Sequence, residues 1–200
     1  FVWSSGFTVR MNPDGTDVEI VGHGYRNSYE QTVNSMGDVF QSDNDDSSSC
    51  RNSYVLEYGS AGYYSKDGQF KWQPERRDGQ AIPKAHWRQD NPGTFDAGDV
   101  YGSGGPTGVT FYENGALGKK YEGMLLSAES VHSIIFGYFP KALGAGFELK
   151  NFSFFDSKTS NPQSKWFRPS DVCVGADGAI YVADWFDPGV GGHMMRDYTG

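Results

Sequence analysis

Long apolar runs and clusters of positive charge are both scarce in this 200-residue sequence. The longest apolar stretch, residues 124–139, carries Glu129 and His132 and falls short of the roughly 20 apolar residues that a membrane-spanning helix needs. Seventeen Lys and Arg stand against 25 Asp and Glu, for a formal net charge of -8, and no basic cluster interrupts this excess. We therefore expect neither a nucleic-acid partner nor a membrane span, and a neutral or cationic ligand fits the charge better.

Cysteines are few, and several catalytic motifs are missing. The two cysteines, Cys50 and Cys173, either pair or remain isolated thiols, because connectivity cannot be deduced from sequence. No C-x-x-C-H motif is present, so no c-type haem attaches within these residues, and the motifs G-x-x-x-x-G-K-[ST] and H-E-x-x-H are also missing. The chain begins with Phe1 rather than Met, so we expect that its natural start was processed off or left out.

Glycine and aromatic residues are abundant instead. The sequence has 27 Gly and 16% aromatics but only 37% hydrophobic residues, a composition typical of short aromatic strands joined by many turns. Period-two runs such as FTVRM and VEIVGHG flank the turn NPDGTD, which is a hairpin signal. No apolar pattern of period 3.6 is sustained over the length of a helix. The composition and pattern predict an all-β protein.

One pattern occurs twice: a turn glycine, a short strand, and an acid six residues after the glycine. It joins Gly37 to Asp43 in MGDVFQSDN and Gly178 to Asp184 in DGAIYVADW, and Glu129 ends the comparable strand GMLLSAE. The spacing suits β-propeller blades of roughly 40 to 50 residues if about 45–106 is a long loop insertion. We expect the three acids to point at one shared site on the propeller axis.

The number of such units is small for a closed ring. Residues 1–200 supply about three or four blades, whereas propellers close with typically four to eight. The sequence therefore predicts a fragment of a propeller, with further blades before Phe1 and a closing strand after Gly200.

Several segments together resemble a known enzyme family. Arg26-Asn27, followed by a strand that ends in Ser-Asp, resembles the soluble quinoprotein glucose/sorbosone dehydrogenases, which are six-bladed propellers. Segments over nearly the whole chain look like the membrane-bound dehydrogenase propellers of planctomycete-type bacteria: RMNPDGTDVEIVGHGYRN, DVFQSDNDD, AHWRQDNPG, GGPTGVTFYENGAL, GMLLSAE, WFRPSDVCVGADGAIYVADWFDPGVGGH and RDYTG. The motifs are specific only when they are taken together.

The resemblance implies pyrroloquinoline quinone (PQQ) with a calcium ion beneath it. Carried over by position, the cofactor-binding residues are Arg26, Asn27 and Arg168. The calcium ligands are Asp43, Asn44 and Asp45, in a stretch dense in side-chain oxygens, as calcium requires. On the residues alone, two alternatives stay open: each Arg pairs with an acid of a neighbouring blade, and the acidic turn is merely hydrated.

The sequence also departs from the family pattern. R-N-x-Q-G is expected, but Glu30 stands where Gly should follow and Tyr29 where Gln should, so a cofactor-binding glutamine is missing. The family's catalytic histidine belongs to an earlier blade, upstream of this chain. His86 and His193, in oxygen- and glycine-rich loops, are the candidates for a base within it.

The implied function is PQQ-dependent oxidation of a sugar or a related alcohol or aldehyde by an exported protein, periplasmic or extracellular. Trp87, in the long loop, is the candidate for stacking on a sugar. The resemblance allows a cytochrome c as electron acceptor and a c-type haem on a domain outside these residues. The alternative is a non-catalytic propeller that binds carbohydrate or scaffolds an electron-transfer assembly, because propellers host many functions.

Overall fold

The computed structural model describes residues 5–45, 49–65, 71–157 and 166–187. Within these ranges the structure is almost entirely β, as the composition predicted. The helical elements described there are α1 (Ile82–His86) and two single turns of 3₁₀ helix, Gln73–Glu75 and Lys119–Tyr121. No helix in the described part of the chain is long and apolar enough to cross a membrane.

The first sheet, sheet I, contains the predicted hairpin. Strands β1 (Gly6–Arg10) and β2 (Glu19–Tyr25) pair antiparallel around the NPDGTD turn. Gly15 adopts a φ of 83°, which glycine reaches without strain, and the Asp14 carboxylate accepts the backbone N–H of Thr16 at 3.0 Å. The turn residues therefore fix this hairpin locally.

Two four-stranded antiparallel sheets follow, and their strands run outward in chain order. Sheet II has the order β3, β4, β5, β7, and sheet III has the order β8, β9, β10, β13. The bounds in sheet II are β3 (Ser28–Val33), β4 (Val39–Asp43), β5 (Cys50–Tyr54) and β7 (Asp99–Gly102). Those in sheet III are β8 (Pro106–Tyr112), β9 (Met124–Glu129), β10 (Ile134–Tyr138) and β13 (Phe152–Asp156).

Smaller elements complete the described structure. Strand β6 (Gly59–Ser60) pairs parallel with β2 and extends sheet I. A hairpin of β11 (Lys141–Leu143) and β12 (Gly146–Glu148) connects β10 to β13. Sheet IV consists of β14 (Pro169–Val174) and β15 (Ile180–Asp184).

The first strands of sheets II, III and IV lie side by side, because β8 packs against β3 on one side and against β14 on the other. Hydrogen bonds link these strands: the Val109 N–H donates to the Glu30 carboxylate at 2.8 Å, and the Thr107 hydroxyl donates to the Pro169 carbonyl at 2.7 Å. This is the arrangement of innermost strands around a propeller axis.

Strand β9 shows how the sequence fills the space between sheets. All six of its residues are buried. Met124, Leu126 and Ala128 enter the core between sheets III and IV, whereas Leu125 joins Phe40 in the core between sheets II and III. Successive side chains of a strand point to opposite faces, so a strand buried on both faces is apolar in consecutive positions.

The predicted insertion at 45–106 is shorter in the structure. Strands β5 and β7 belong to sheet II, so the long connection spans only residues 55–98, and it packs back on sheet I through the Phe95 N–H bond to the Ser60 carbonyl at 2.9 Å. The segment CRNSY shows no apolar alternation because β5 buries polar side chains. Asn52, for example, donates to the Tyr138 hydroxyl at 2.8 Å.

Candidate functional site

The three acids predicted from the repeat occupy equivalent places in three sheets. Each ends the second strand of its sheet and faces the first residue of the innermost strand. The pairs are Asp43 with Ser28, Glu129 with Pro106, and Asp184 with Pro169. The repeated sequence pattern therefore reflects a repeated structural position.

Each acid accepts a backbone N–H from the residue immediately before the innermost strand. Asn27 N–H donates to Asp43 Oδ1 at 2.7 Å, Arg168 N–H donates to Asp184 Oδ1 at 2.8 Å, and Gly105 N–H donates to Glu129 Oε1. These contacts do not agree with the prediction that the three acids converge on one axial site. Each carboxylate is bound within its own sheet, where it fixes the start of the innermost strand.

Asp43 is fully buried at the start of sheet II. Its side chain is inaccessible to solvent, and its second oxygen accepts the Arg26 N–H at 3.2 Å. Burial raises the pKa of Asp43 to about 7, although the two backbone N–H groups and the nearby Arg51 and Arg26 charges act in the opposite direction.

Asp45, two residues further on, brings the candidate site together. Its Oδ2 accepts the Trp87 indole N–H at 2.7 Å and lies 3.1 Å from His86 Nδ1. Its Oδ1 lies 3.4 Å from Arg26 Nε. One buried carboxylate thus joins the start of sheet II to helix α1 of the long connection.

The long connection also surrounds His86 with aromatic rings. The His86 ring centroid lies 5.3 Å from those of Tyr63 and Trp72, and the Arg26 guanidinium lies 5.7 Å from the Tyr63 centroid. Tyr63 and Trp72 were not among the predicted site residues. The sequence feature that could have identified them is their position: both are large aromatic residues in a polar, glycine-containing loop, where no strand packing requires such side chains.

The prediction that Trp87 contacts a ligand does not agree with its position. Trp87 has no exposed surface, and its ring packs in a core with Tyr25, Val55 and Phe95. The Arg51 guanidinium covers the ring at 3.7 Å from its centroid. Trp87 instead supports the site, because its indole N–H holds Asp45.

The three predicted calcium ligands do not fit a calcium ion in this arrangement. Both Asp43 oxygens accept backbone N–H groups, and the Asp45 oxygens face Arg26, His86 and Trp87. Asn44 Oδ1 accepts from Arg26 Nη1 at 3.2 Å. Calcium needs oxygens that are open to it, whereas these already bind N–H donors.

Arg26 and Asn27 lie beside an open cleft. The Asn27 side chain is exposed, and its amide has no hydrogen-bond partner among the described residues. Arg26 Nη1 donates to the Asn44 carbonyl at 3.0 Å, which holds the guanidinium at the same strand start. Both residues border an open cleft of about 570 Å³ that β1 and residues 25–31 line, a volume typical of small-molecule sites.

Arg168 is placed differently from Arg26. Its Nη1 donates to the carbonyls of Ser130 and Val131 at 2.9 and 3.1 Å, and its Nε donates to the Asp187 carbonyl at 2.9 Å. The residue is 7% exposed. These bonds tie sheet IV to the turn after β9, and their acceptors are backbone carbonyls rather than an acid of a neighbouring blade.

The remaining candidates are one histidine and two cysteines. His193 lies outside the described residues. Cys50 and Cys173 are both free thiols, Cys50 buried and Cys173 exposed. The Cys50 thiol donates to the Asp45 carbonyl at 3.0 Å, and burial raises its pKa to about 11. Cys50 therefore acts as a packing residue beneath the Asp45 backbone.

Solved structures to which this chain is similar include β-propeller sugar dehydrogenases. The soluble aldose sugar dehydrogenase of Escherichia coli, in its apo form, is 14% identical, with a TM-score of 0.60 over 88% of this chain and 50% of that one. The PQQ-bound aldose sugar dehydrogenase of Streptomyces coelicolor is 14% identical, with a TM-score of 0.55 over 84% and 42%. A glucose dehydrogenase is 17% identical, with a TM-score of 0.57 over 86% and 45%.

These likenesses show the fold, which is the β-propeller fold of these dehydrogenases, and the chain spans half or less of the length of the three structures. More particularly, the chain belongs to the family described as Domain of unknown function (DUF7133), whose sequence model matches residues 4–191. No curated protein matches the sequence.

Proposed function

We propose that this chain forms part of a six-bladed propeller that oxidises a sugar, or a related alcohol or aldehyde, with PQQ. The observation that carries the proposal is the Asp45 carboxylate, which binds Arg26 and His86 at the strand start where Asn27 is exposed. A cation, an exposed amide and an imidazole held by a carboxylate are the groups that binding and oxidising an alcohol require.

Arg26 and Asn27 are the residues that would hold PQQ, through its carboxylates and carbonyls. Arg is suited to planar recognition of carboxylates, and the Asn44 contacts limit the orientations of the Arg26 guanidinium. When bound, PQQ would supply the acceptor for the two electrons of the alcohol. Arg168 would not contact PQQ. Its role would be to hold the turn after β9, whose Ser130 and Val131 carbonyls it binds.

His86 would take the hydroxyl proton. Its Nδ1 faces Asp45, and this contact favours the tautomer that carries a proton on Nδ1 and a lone pair on Nε2. The side chain is 17% exposed, and the rings of Tyr63 and Trp72 restrict its rotation. This is the geometry of an oriented general base.

A second candidate function is a propeller that binds carbohydrate without oxidising it. The aromatic rings of Tyr63, Tyr64 and Trp72 favour it, because Tyr63 contacts both Tyr64 and His86 and the group lies on the connection that covers the site. The missing glutamine after Arg26-Asn27 favours it too. In this alternative Arg26 and His86 would bind sugar hydroxyls.

Titration of the intact natural protein with PQQ separates the two candidates. Binding would be followed by absorbance, with and without calcium, and turnover by dye-linked oxidation of a panel of sugars. We expect PQQ binding and turnover in the natural protein, and weaker PQQ binding in Arg26→Gln. The matched control is Arg10→Gln, because Arg10 is exposed and pairs with Glu19 and Glu57 at the rim of sheet I.

His86→Gln tests the base separately. We expect it to bind PQQ as the natural protein does but to lose turnover by a factor of roughly 100 or more, the range for a general base. Sugar binding without PQQ binding in the natural protein would contradict the dehydrogenase proposal and leave the carbohydrate-binding candidate.

A further inference from the structure

We propose that the buried guanidinium of Arg51 is the binding site of a small inorganic anion, with chloride as the simplest occupant. Arg51 lies in β5 opposite Asp43 and is 1% exposed. Its Nη1 and Nη2 are buried and have no hydrogen-bond partner in the part of the chain that the structure describes.

The rest of the guanidinium is already occupied. Nε donates to the Ser49 carbonyl at 3.0 Å, and one face of the group lies on the Trp87 ring. Only the edge that carries Nη1 and Nη2 remains. Buried N–H groups without an acceptor are costly, more so when the group is charged, so a native structure supplies an acceptor there.

The neighbouring carboxylates do not supply it. The Asp43 oxygens accept the N–H groups of Arg26 and Asn27, and the Asp45 oxygens face Arg26, His86 and Trp87. Among the described residues, no carboxylate oxygen lies within salt-bridge distance, 4.0 Å, of the Arg51 nitrogens. No anion in the described part of the chain is thus in direct contact with the outer nitrogens of this buried cation, and an uncompensated buried charge is strongly destabilising.

The surrounding carboxylates act on the Arg51 charge without binding its outer nitrogens. Burial lowers the pKa of Arg51 to about 10 although Asp43 and Asp45 act in the opposite direction, so the guanidinium is charged near neutral pH. A charged guanidinium whose N–H groups lack an acceptor favours an anion over a neutral acceptor, because charge-assisted hydrogen bonds are the stronger ones.

The site would stabilise the candidate active site from beneath, and it does not depend on the proposed function. Arg51 packs on Trp87, and Trp87 holds Asp45. An anion bound to Arg51 would therefore hold Trp87 in the position from which its indole N–H binds Asp45.

Thermal unfolding of the intact protein tests the proposal. Chloride would be varied from roughly 1 to 200 mM at constant ionic strength, with bulky gluconate as the replacement anion. We expect the melting temperature of the natural protein to rise by about 3 °C, as for a ligand with a dissociation constant of some tens of millimolar. Arg51→Met should show less than about a third of this rise, and the exposed control Arg10→Gln should show all of it.

Bromide provides a second measurement that needs no variant. In crystals of the natural protein grown with bromide, we expect an anomalous peak within hydrogen-bond distance of Arg51 Nη1 or Nη2. Ordered water alone at that position would overturn the proposal. An equal chloride response in Arg51→Met and the natural protein would overturn it as well.

Discussion

The innermost strands of sheets II and IV start with one shared backbone arrangement but differ in what surrounds it. At the start of sheet II, Asp43 binds the N–H of Asn27; at the start of sheet IV, Asp184 binds the N–H of Arg168. The first is covered by the 55–98 connection, which adds His86 and Trp87 to Asp45. The second has no such cover among the described residues, and Asp184 is exposed.

The bond from the acid to the backbone N–H is a structural feature that both sheets share, whereas the side chains of the 55–98 connection are present at sheet II and are candidates for function. The acid-to-amide bond fixes the start of the innermost strand and recurs because each sheet needs it. At the start of sheet II the Arg26, Asp45 and His86 side chains meet where a long connection packs over that bond. At the start of sheet III a His132–Glu129 pair, with its nitrogen and oxygen 3.0 Å apart, forms without such a connection. Sequence similarity between the two strand starts is therefore evidence for a blade and not, by itself, for a site.

The largest expected difference concerns the acids at these strand starts. Asp45→Asn should lower the free energy of unfolding by about 3 kcal/mol, because it removes the charge that faces half-buried Arg26 and weakens the bonds to His86 and Trp87. Asp184→Asn should cost only about 1 kcal/mol, since it affects two backbone bonds made by an exposed side chain. Urea denaturation measures both, and equal losses would contradict the distinction between sheets II and IV.

The two arginines should differ in their effects on stability and on cofactor binding. Arg168→Gln removes bonds to three backbone carbonyls and should lower the free energy of unfolding by about 2 kcal/mol, with little change in PQQ affinity. Arg26→Gln should weaken PQQ binding about tenfold or more, with a smaller loss of stability. A larger loss of PQQ affinity in Arg168→Gln would restore Arg168 as the cofactor-binding arginine.

The last expected effect is a pH dependence that arises from Asp43 at the start of sheet II; it is small per pH unit and accumulates to about 4 kcal/mol across the range. Because burial raises the folded-state pKa of Asp43 to about 7, from its ordinary value of 3.8, the folded protein binds this proton more tightly than the unfolded chain does. The contribution to stability is present below about pH 4 and is lost as the pH rises to about 7, with a slope of at most about 1.4 kcal/mol per pH unit.

Urea denaturation of Asp43→Asn across this range checks the sign. We expect the slope of stability against pH to be flatter in Asp43→Asn than in the natural protein. A slope that is unchanged in Asp43→Asn would show that Asp43 is not the group responsible.

The sequence by itself determined the strands and turns. Glycine-containing turns and period-two runs act over a few residues, so they predicted an all-β fold, the β1–β2 hairpin and the equivalence of Asp43 with Asp184. Arg26 and Arg168 are not equivalent, because Arg168 directly precedes its innermost strand whereas Asn27, not Arg26, does so in sheet II. A shift of one residue changes where a side chain points.

Only the tertiary structure decided which polar groups meet. Asp45 and Trp87 are 42 residues apart in the chain, and no local pattern encodes their contact. The same holds for the burial of Trp87, which a polar loop suggested as a ligand contact and which packing on Tyr25 and Arg51 removes from solvent. Strand periodicity is a local property of the backbone, whereas a site depends on long-range packing that a sequence pattern does not contain.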